Sequence, residues 1–125
     1  MILSLELLEG AFAVVRLDPD ESVPAWARGG LLWSITQTPE ELSILCASER
    51  VPPGLRTEGP FRALKVQGPL DMAMTGVLTS IADPLADASV SIFALSTFDT
   101  DYVLVRETAV DAALRALRLA GHQVG

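Results

Sequence analysis

The chain is 125 residues long, half of them hydrophobic, and its sixteen acidic against nine basic side chains give a formal charge of −7. That length suits one ordinary domain or two very small ones, and a chain so short gains from sharing a core between halves or across a dimer. The negative charge repels phosphate backbones and anionic lipid headgroups, which argues against nucleic acid and membrane surfaces as partners.

From the N-terminus, ILSLELL and AFAVVRL are two short apolar runs hinged at Glu9-Gly10, the signal of a β-hairpin. The start lacks the basic region and cleavage pattern of a signal peptide, and no apolar run approaches the roughly 20 residues that span a bilayer, so a cytoplasmic protein is expected. DPDESVPAWARGG interrupts the strands with two prolines and two glycines, leaving room for one helical turn with Pro24 at its start. LLWSITQ and ELSILCA read as a further strand pair around TPE. The single cysteine, Cys46, sits on the second of these as a small buried hydrophobe, and no disulfide can form within one chain. ERVPPGLRTEGP, with three prolines and two glycines, reads as the boundary between residues 1–58 and residues 59–125.

FRALKVQ is next a strand, ended by Gly68-Pro69. Beyond it Met74, Val77, Leu78, Ile81 and Leu85 recur at spacings of three and four, which predicts a helix capped by Asp71 and closed or distorted by Pro84. SIFALSTFDTDYVLV follows as a hairpin. TAVDAALRALRLAG repeats the helical signature, with Thr108 and Asp111 at capping-box spacing and Gly121 suited to the C-terminal end. A last short strand at Gln123-Val124 would complete a β-α-β-β-α-β order, and strands mixed with helices in this way predict an α+β sandwich.

The two halves also align weakly with one another. AVVRLDP at 13–19 matches ALKVQGP at 63–69, and SITQTPEELSIL at 34–45 matches ALSTFDTDYVLV at 94–105, which sets Glu41 against Asp101.

Enzymatic chemistry is not expected. The one histidine, His122, lies near the C-terminus beside a glycine, and with one cysteine far from it in sequence no metal-ligand spacing arises. Neither a phosphate-binding glycine motif nor a nucleophile elbow is present, and no cofactor is implied. Trp26 and Trp33 read as packing residues rather than ligand stackers. Two polar features do converge. At VQGPLDM, Gly68 permits close backbone approach and a helix N-terminus offers N–H groups suited to a carboxylate. In the turn STFDTD, the hydroxyls of Ser96, Thr97 and Thr100 stand beside the carboxylates of Asp99 and Asp101, which suit an ammonium or guanidinium. Together these would clamp a zwitterion such as an amino acid. The alternative is an ordinary turn and an ordinary cap.

LLWSITQTPEELSILC followed by ERVP, and SIFALSTFDTDYVLVRE, make the chain resemble small tandem ACT-domain proteins, related to aspartate kinase regulatory domains and the animal cytosolic arginine sensors. The resemblance implies two ferredoxin-like ACT units side by side, the first with a shortened helix, binding an amino acid and regulating a separate protein. It places Gly68, Leu70 and Asp71 in the ligand-binding strand-to-helix loop, Thr97, Phe98 and Asp101 in the ligand-binding turn, and Ser43 and Ile44 on the facing strand of the first unit. An animal sensor has four such units against two here, so a homodimer is expected. Acidic walls favour a cationic amino acid. A structural or oligomerisation module without a ligand is the other reading.

Overall fold

Apolar stretches alternating with turn residues produce, in the computed structural model, a succession of short strands and two helices; the structure describes residues 1–71 and 73–125. Among these the elements are β1 (Ser4–Leu7), β2 (Phe12–Leu17), β3 (Ser34–Gln37), β4 (Leu42–Ala47), β5 (Arg56–Val66), α1 (Val77–Asp87), β6 (Ile92–Ser96), β7 (Asp101–Arg106), α2 (Val110–Leu119) and β8 (Gln123–Val124). Met72, in the VQGPLDM junction, lies outside the described residues.

Contacts divide the chain into residues 10–61 and a second unit made of residues 1–9 with 62–125. This departs from a division at residue 58. The segment RTEGP, expected in a linker, already belongs to β5, and the first nine residues join the C-terminal unit because β1 pairs antiparallel with β5 and parallel with β8. β2 pairs with β4 and the early part of β5. Glu9-Gly10 therefore carries the chain from one unit into the other and is not the tip of a β1–β2 hairpin. Two adjacent apolar runs show that strands form, while the partner of each is decided by contacts distant in sequence.

In residues 10–61 the strand order is β3-β4-β2-β5, the ferredoxin-like order. Both helical positions are reduced to single 3₁₀ turns, Ala25–Ala27 and Ser48–Arg50. The second cannot lengthen, because Pro52 and Pro53 follow and proline neither donates to a helix nor leaves its predecessor free to be helical. Pro24 sits at the N-cap of the first turn rather than inside it. Gly59 and Pro60 form a bulge in β5, where a Cβ on Gly59 would lie 3.0 Å from the Phe12 carbonyl oxygen. The core gathers Val15, Leu42, Ile44 and Cys46, with Trp26 packed at its edge and Trp33 exposed.

Burial raises the Cys46 pKa above its ordinary 9.0, and the Arg50 guanidinium opposes the shift only in part. A group whose proton is held more tightly in the folded state adds stability below its unfolded pKa and loses it as pH rises past that value. Alkylation of Cys46 is accordingly expected to stay slow in native protein at pH 8 and to accelerate on adding denaturant. Equal rates in the two conditions would contradict this burial.

The second unit runs β5-α1-β6-β7-α2-β8 in the full βαββαβ pattern, with β1 inserted between β5 and β8 and with β7 joining β5 to β6. Its core joins Leu5, Leu64, Val66, Ile81, Leu85, Val103, Val105, Ala113 and Leu117. α2 follows directly from a 3₁₀ turn at Glu107–Ala109, and its N-cap, Ala109, makes no side-chain bond, so the expected Thr108–Asp111 box does not form. Its other end obeys the sequence. Gly121 takes φ +98°, its N–H donates to Arg118 O at 3.0 Å, and His122 N–H donates to Leu117 O at 3.1 Å, the paired bonds of a Schellman cap.

That cap turns the His122 ring back onto α1, where it resolves the problem of Pro84. A proline at position 84 has no N–H to give to the Ser80 carbonyl four residues earlier, yet α1 continues through it to Asp87. His122 Nε2 lies 2.8 Å from Ser80 O, while Nδ1 accepts the Leu3 N–H at 3.0 Å. Since a backbone N–H can only donate and a carbonyl only accept, the proton resides on Nε2. His122 is thus a structural donor that lets the helix outlast its proline, in place of the closing role expected for Pro84.

The units also share a turn. Thr97 N–H donates to Thr100 O at 2.8 Å and Thr97 Oγ1 accepts from Thr100 N–H at 3.2 Å; Thr38 N–H donates to Glu41 O at 2.9 Å and Thr38 Oγ1 accepts from Glu41 N–H at 3.2 Å. Gln37 pairs with Leu42 as Ser96 pairs with Asp101. The structural correspondence is therefore one residue shorter than the expected alignment. Glu41 matches Thr100, and it is Leu42, fully buried, that stands where Asp101 stands in the other unit. Because strand side chains alternate in direction, this slip exchanges an inward residue for an outward one.

Candidate functional site

The turn at residues 97–100 is fastened to the end of β5. Thr100, 6% exposed, donates its hydroxyl to Val66 O at 2.6 Å, and Leu70 N–H donates to Asp99 O at 2.7 Å. Gly68 makes this approach possible, since a Cβ there would meet Asp99 O at 3.0 Å and the Thr100 Cβ at 3.3 Å. Its missing side chain leaves that space to the turn.

Between this turn and the start of α1 lies a cleft of ≈ 170 Å³, lined by Leu70, Asp71, Met74 and Val77 on one side and by residues 96–101 on the other. Leu70, Asp71, Thr97, Phe98 and Asp101 of the expected residues thus meet in one place. α1 begins later than predicted. Asp71 does not cap it; the Asp71 Oδ1 accepts the Ala73 N–H at 2.9 Å and the Asp71 carbonyl accepts from Met74 N–H at 2.9 Å. This local turn competes with helix, as short acidic side chains do. The true N-cap is Gly76, at φ +81° and with no side-chain bond to the first turn. Met74, read as a helical core position, instead lines the cleft with 42% exposure.

Among the described residues, three carboxylates, Asp71, Asp99 and Asp101, line the cleft and no basic side chain does. Asp101 is half-buried, and its Oδ1 accepts the Ser96 hydroxyl at 2.6 Å, a short bond that orients the carboxylate. Val77, the first residue of α1, brings the uncapped helix start to the opposite wall. Its first-turn N–H groups have no intrahelical acceptor and carry the positive end of the helix dipole. The cleft can therefore offer a donor cluster to an anion and a carboxylate to a cation. Of the remaining expected residues, Ile44 has no exposed surface and belongs to the core of residues 10–61, so its side chain cannot touch a ligand; Ser43 sits half-buried on β4 opposite Arg16 and Thr36.

The family model for the ACT domain matches residues 56–118. The chain belongs to the ACT-domain family. A second model, for the N-terminal domain of another family, matches residues 10–54, within the unit of residues 10–61. Among curated proteins, subunit 1 of the cytosolic arginine sensor for mTORC1 is 31% identical over 96 residues in Bos taurus and 30% in Homo sapiens, each match covering 68% of this chain and 29% of the relative. The chain thus spans less than a third of the length of these relatives. A solved protein of Agobacterium tumefaciens superposes with a TM-score of 0.94 at 38% identity, covering 100% of this chain and 93% of its own. The ligand-free regulatory subunit of aspartate kinase from Thermus thermophilus shares the fold, with a TM-score of 0.67 at 14% identity over 97% of this chain and 99% of that one.

Proposed function

We propose that this chain is a non-catalytic regulatory module that binds a free amino acid in the cleft between α1 and the β6–β7 turn. The observation that carries the reading is the presence, in one cleft, of an uncapped helix N-terminus and the oriented carboxylate of Asp101. The ligand carboxylate lies at the first turn of α1, and its ammonium, or a cationic side chain, lies at Asp101 with Thr97 and Phe98 beside it. The arginine-sensor and aspartate-kinase relatives support a regulatory amino-acid ligand, and an acidic lining favours a cationic one. The reading places the protein in the cytoplasm, acting through a separate protein partner.

A melting screen against the twenty amino acids tests it. A ligand at one hundred times its dissociation constant adds about 2.7 kcal/mol to the folded state, a shift of several degrees in a domain of this size. One or a few amino acids should produce that shift. A flat screen at millimolar concentrations would remove the proposal.

A further inference from the structure

The outer face of α2 departs from the solvent side of an ordinary surface helix. Ala113 and Leu117 turn into the core, with Val110 and Leu114 packed against it, so the remaining stripe should be polar. Instead Leu119 is 82% exposed and shares a shallow groove of ≈ 510 Å³ with Asp111, Leu114, Arg115 and Arg118. Spacings of three and four residues make this groove run along the helix. Arg118 is tied across to β8 by a 3.3 Å bond to Val124 O, and in the last turn it complements the helix dipole. Arg115 has neither duty and enters no salt bridge among the described residues. In a chain of formal charge −7, two arginines beside an exposed leucine form a patch of the opposite sign. An apolar strip rimmed by arginine is the composition of a protein-contact surface.

We propose that the α2 groove docks an acidic segment of another protein, one that carries an apolar anchor flanked by Asp or Glu. The anchor lies against Leu114 and Leu119, and the flanking carboxylates take the guanidiniums of Arg115 and Arg118, whose planar donor pairs match a carboxylate. Asp111, at the N-terminal end of the groove, repels acid there and so directs the partner's carboxylates toward the other end. Nucleic acid or a charged bilayer fits poorly, because two arginines do not outweigh the repulsion from a net charge of −7. The groove is separate from the amino-acid cleft, and no residue lines both. This docking surface rests on the regulatory reading only in that such a module needs a separate protein to act on.

Panning a displayed library of random short peptides on the immobilised full chain, with no amino acid added, tests the surface, because the composition of what is retained is the readout. Peptides with Asp and Glu around a Leu, Ile, Met or Phe should be enriched, although the chain's net charge favours basic ones. In fluorescence anisotropy an enriched peptide should bind more weakly as salt is raised, and Arg115→Glu and Arg118→Glu should each lower its affinity about tenfold or more. Both positions are exposed, and unchanged melting curves verify that the variants fold; Arg115→Ala serves if the reversal does not. Arg115→Glu should leave the melting shift given by the amino acid intact, so a flat amino-acid screen with peptide binding retained removes the cleft reading and not the docking surface. No enrichment, enrichment of basic or uncharged peptides, or an affinity indifferent to Arg115 and Arg118 overturns the proposal. So does a free chain that sediments as a dimer until Arg115→Glu separates it, since a second copy would then occupy the groove.

Discussion

Replacing His122 with alanine is expected to cost about 2–4 kcal/mol, because it strands two backbone groups that each lose their partner, and an unsatisfied buried group costs about 1–3 kcal/mol. Those groups are the Leu3 N–H and the Ser80 carbonyl, which no helical N–H can serve because residue 84 is proline. Such a loss is a large share of the 5–15 kcal/mol typical of a domain. The mechanism has its own control. Pro84→Ala supplies the missing N–H, so the penalty for His122→Ala should shrink by about 1 kcal/mol or more in that background, as a double-mutant cycle in urea would read. Equal penalties in both backgrounds would mean that His122 does not serve the Ser80 carbonyl.

The second large effect falls on ligand binding. Asp101→Asn retains an oxygen to accept the Ser96 hydroxyl but removes the charge, and a hydrogen bond to a charged group contributes about 1.5–3 kcal/mol. Affinity for the amino acid found in the screen should fall about 10- to 100-fold by calorimetry, with the melting temperature of the free protein little changed because Asp101 is only half-buried. Undiminished affinity would place the ligand's cation elsewhere. The matching position in residues 10–61 is Leu42, and the helical position there is a single 3₁₀ turn. The corresponding place therefore lacks both the acid and the helix start, and one ligand per chain is the stoichiometry this asymmetry implies.

Features written in local chemistry were legible before any coordinates. Alternating apolar residues and turn signals marked β3, β4, β6 and β7, and the Schellman glycine at 121 marked the end of α2. The polar turn at 96–101 and the glycine at 68 were conspicuous because a simple reversal needs neither. Partnership across the sequence was not legible. β1 and β2 carry the pattern of a hairpin, yet each pairs elsewhere, since an apolar run does not encode its neighbour. The start of α1 was misplaced because Asp71 is as good a turn former as a cap, and the choice depends on Gly76. The alignment of the halves slipped by one residue for a similar reason: two acids matched by type, whereas the hydrogen bonds of the Thr38 and Thr97 turns match by position. His122 looked idle because its partners lie 42 and 119 residues away.

The most direct measurement is an amide ¹H–¹⁵N spectrum of the protein titrated with the amino acid that gives the largest melting shift. The N–H groups of Val77, Leu78 and Thr79 should move downfield on saturation as they take up the ligand carboxylate, accompanied by the amides of Thr97 to Asp101. Binding that leaves the first turn of α1 unmoved, or that perturbs only residues 10–61, would contradict a zwitterion held between that helix and Asp101.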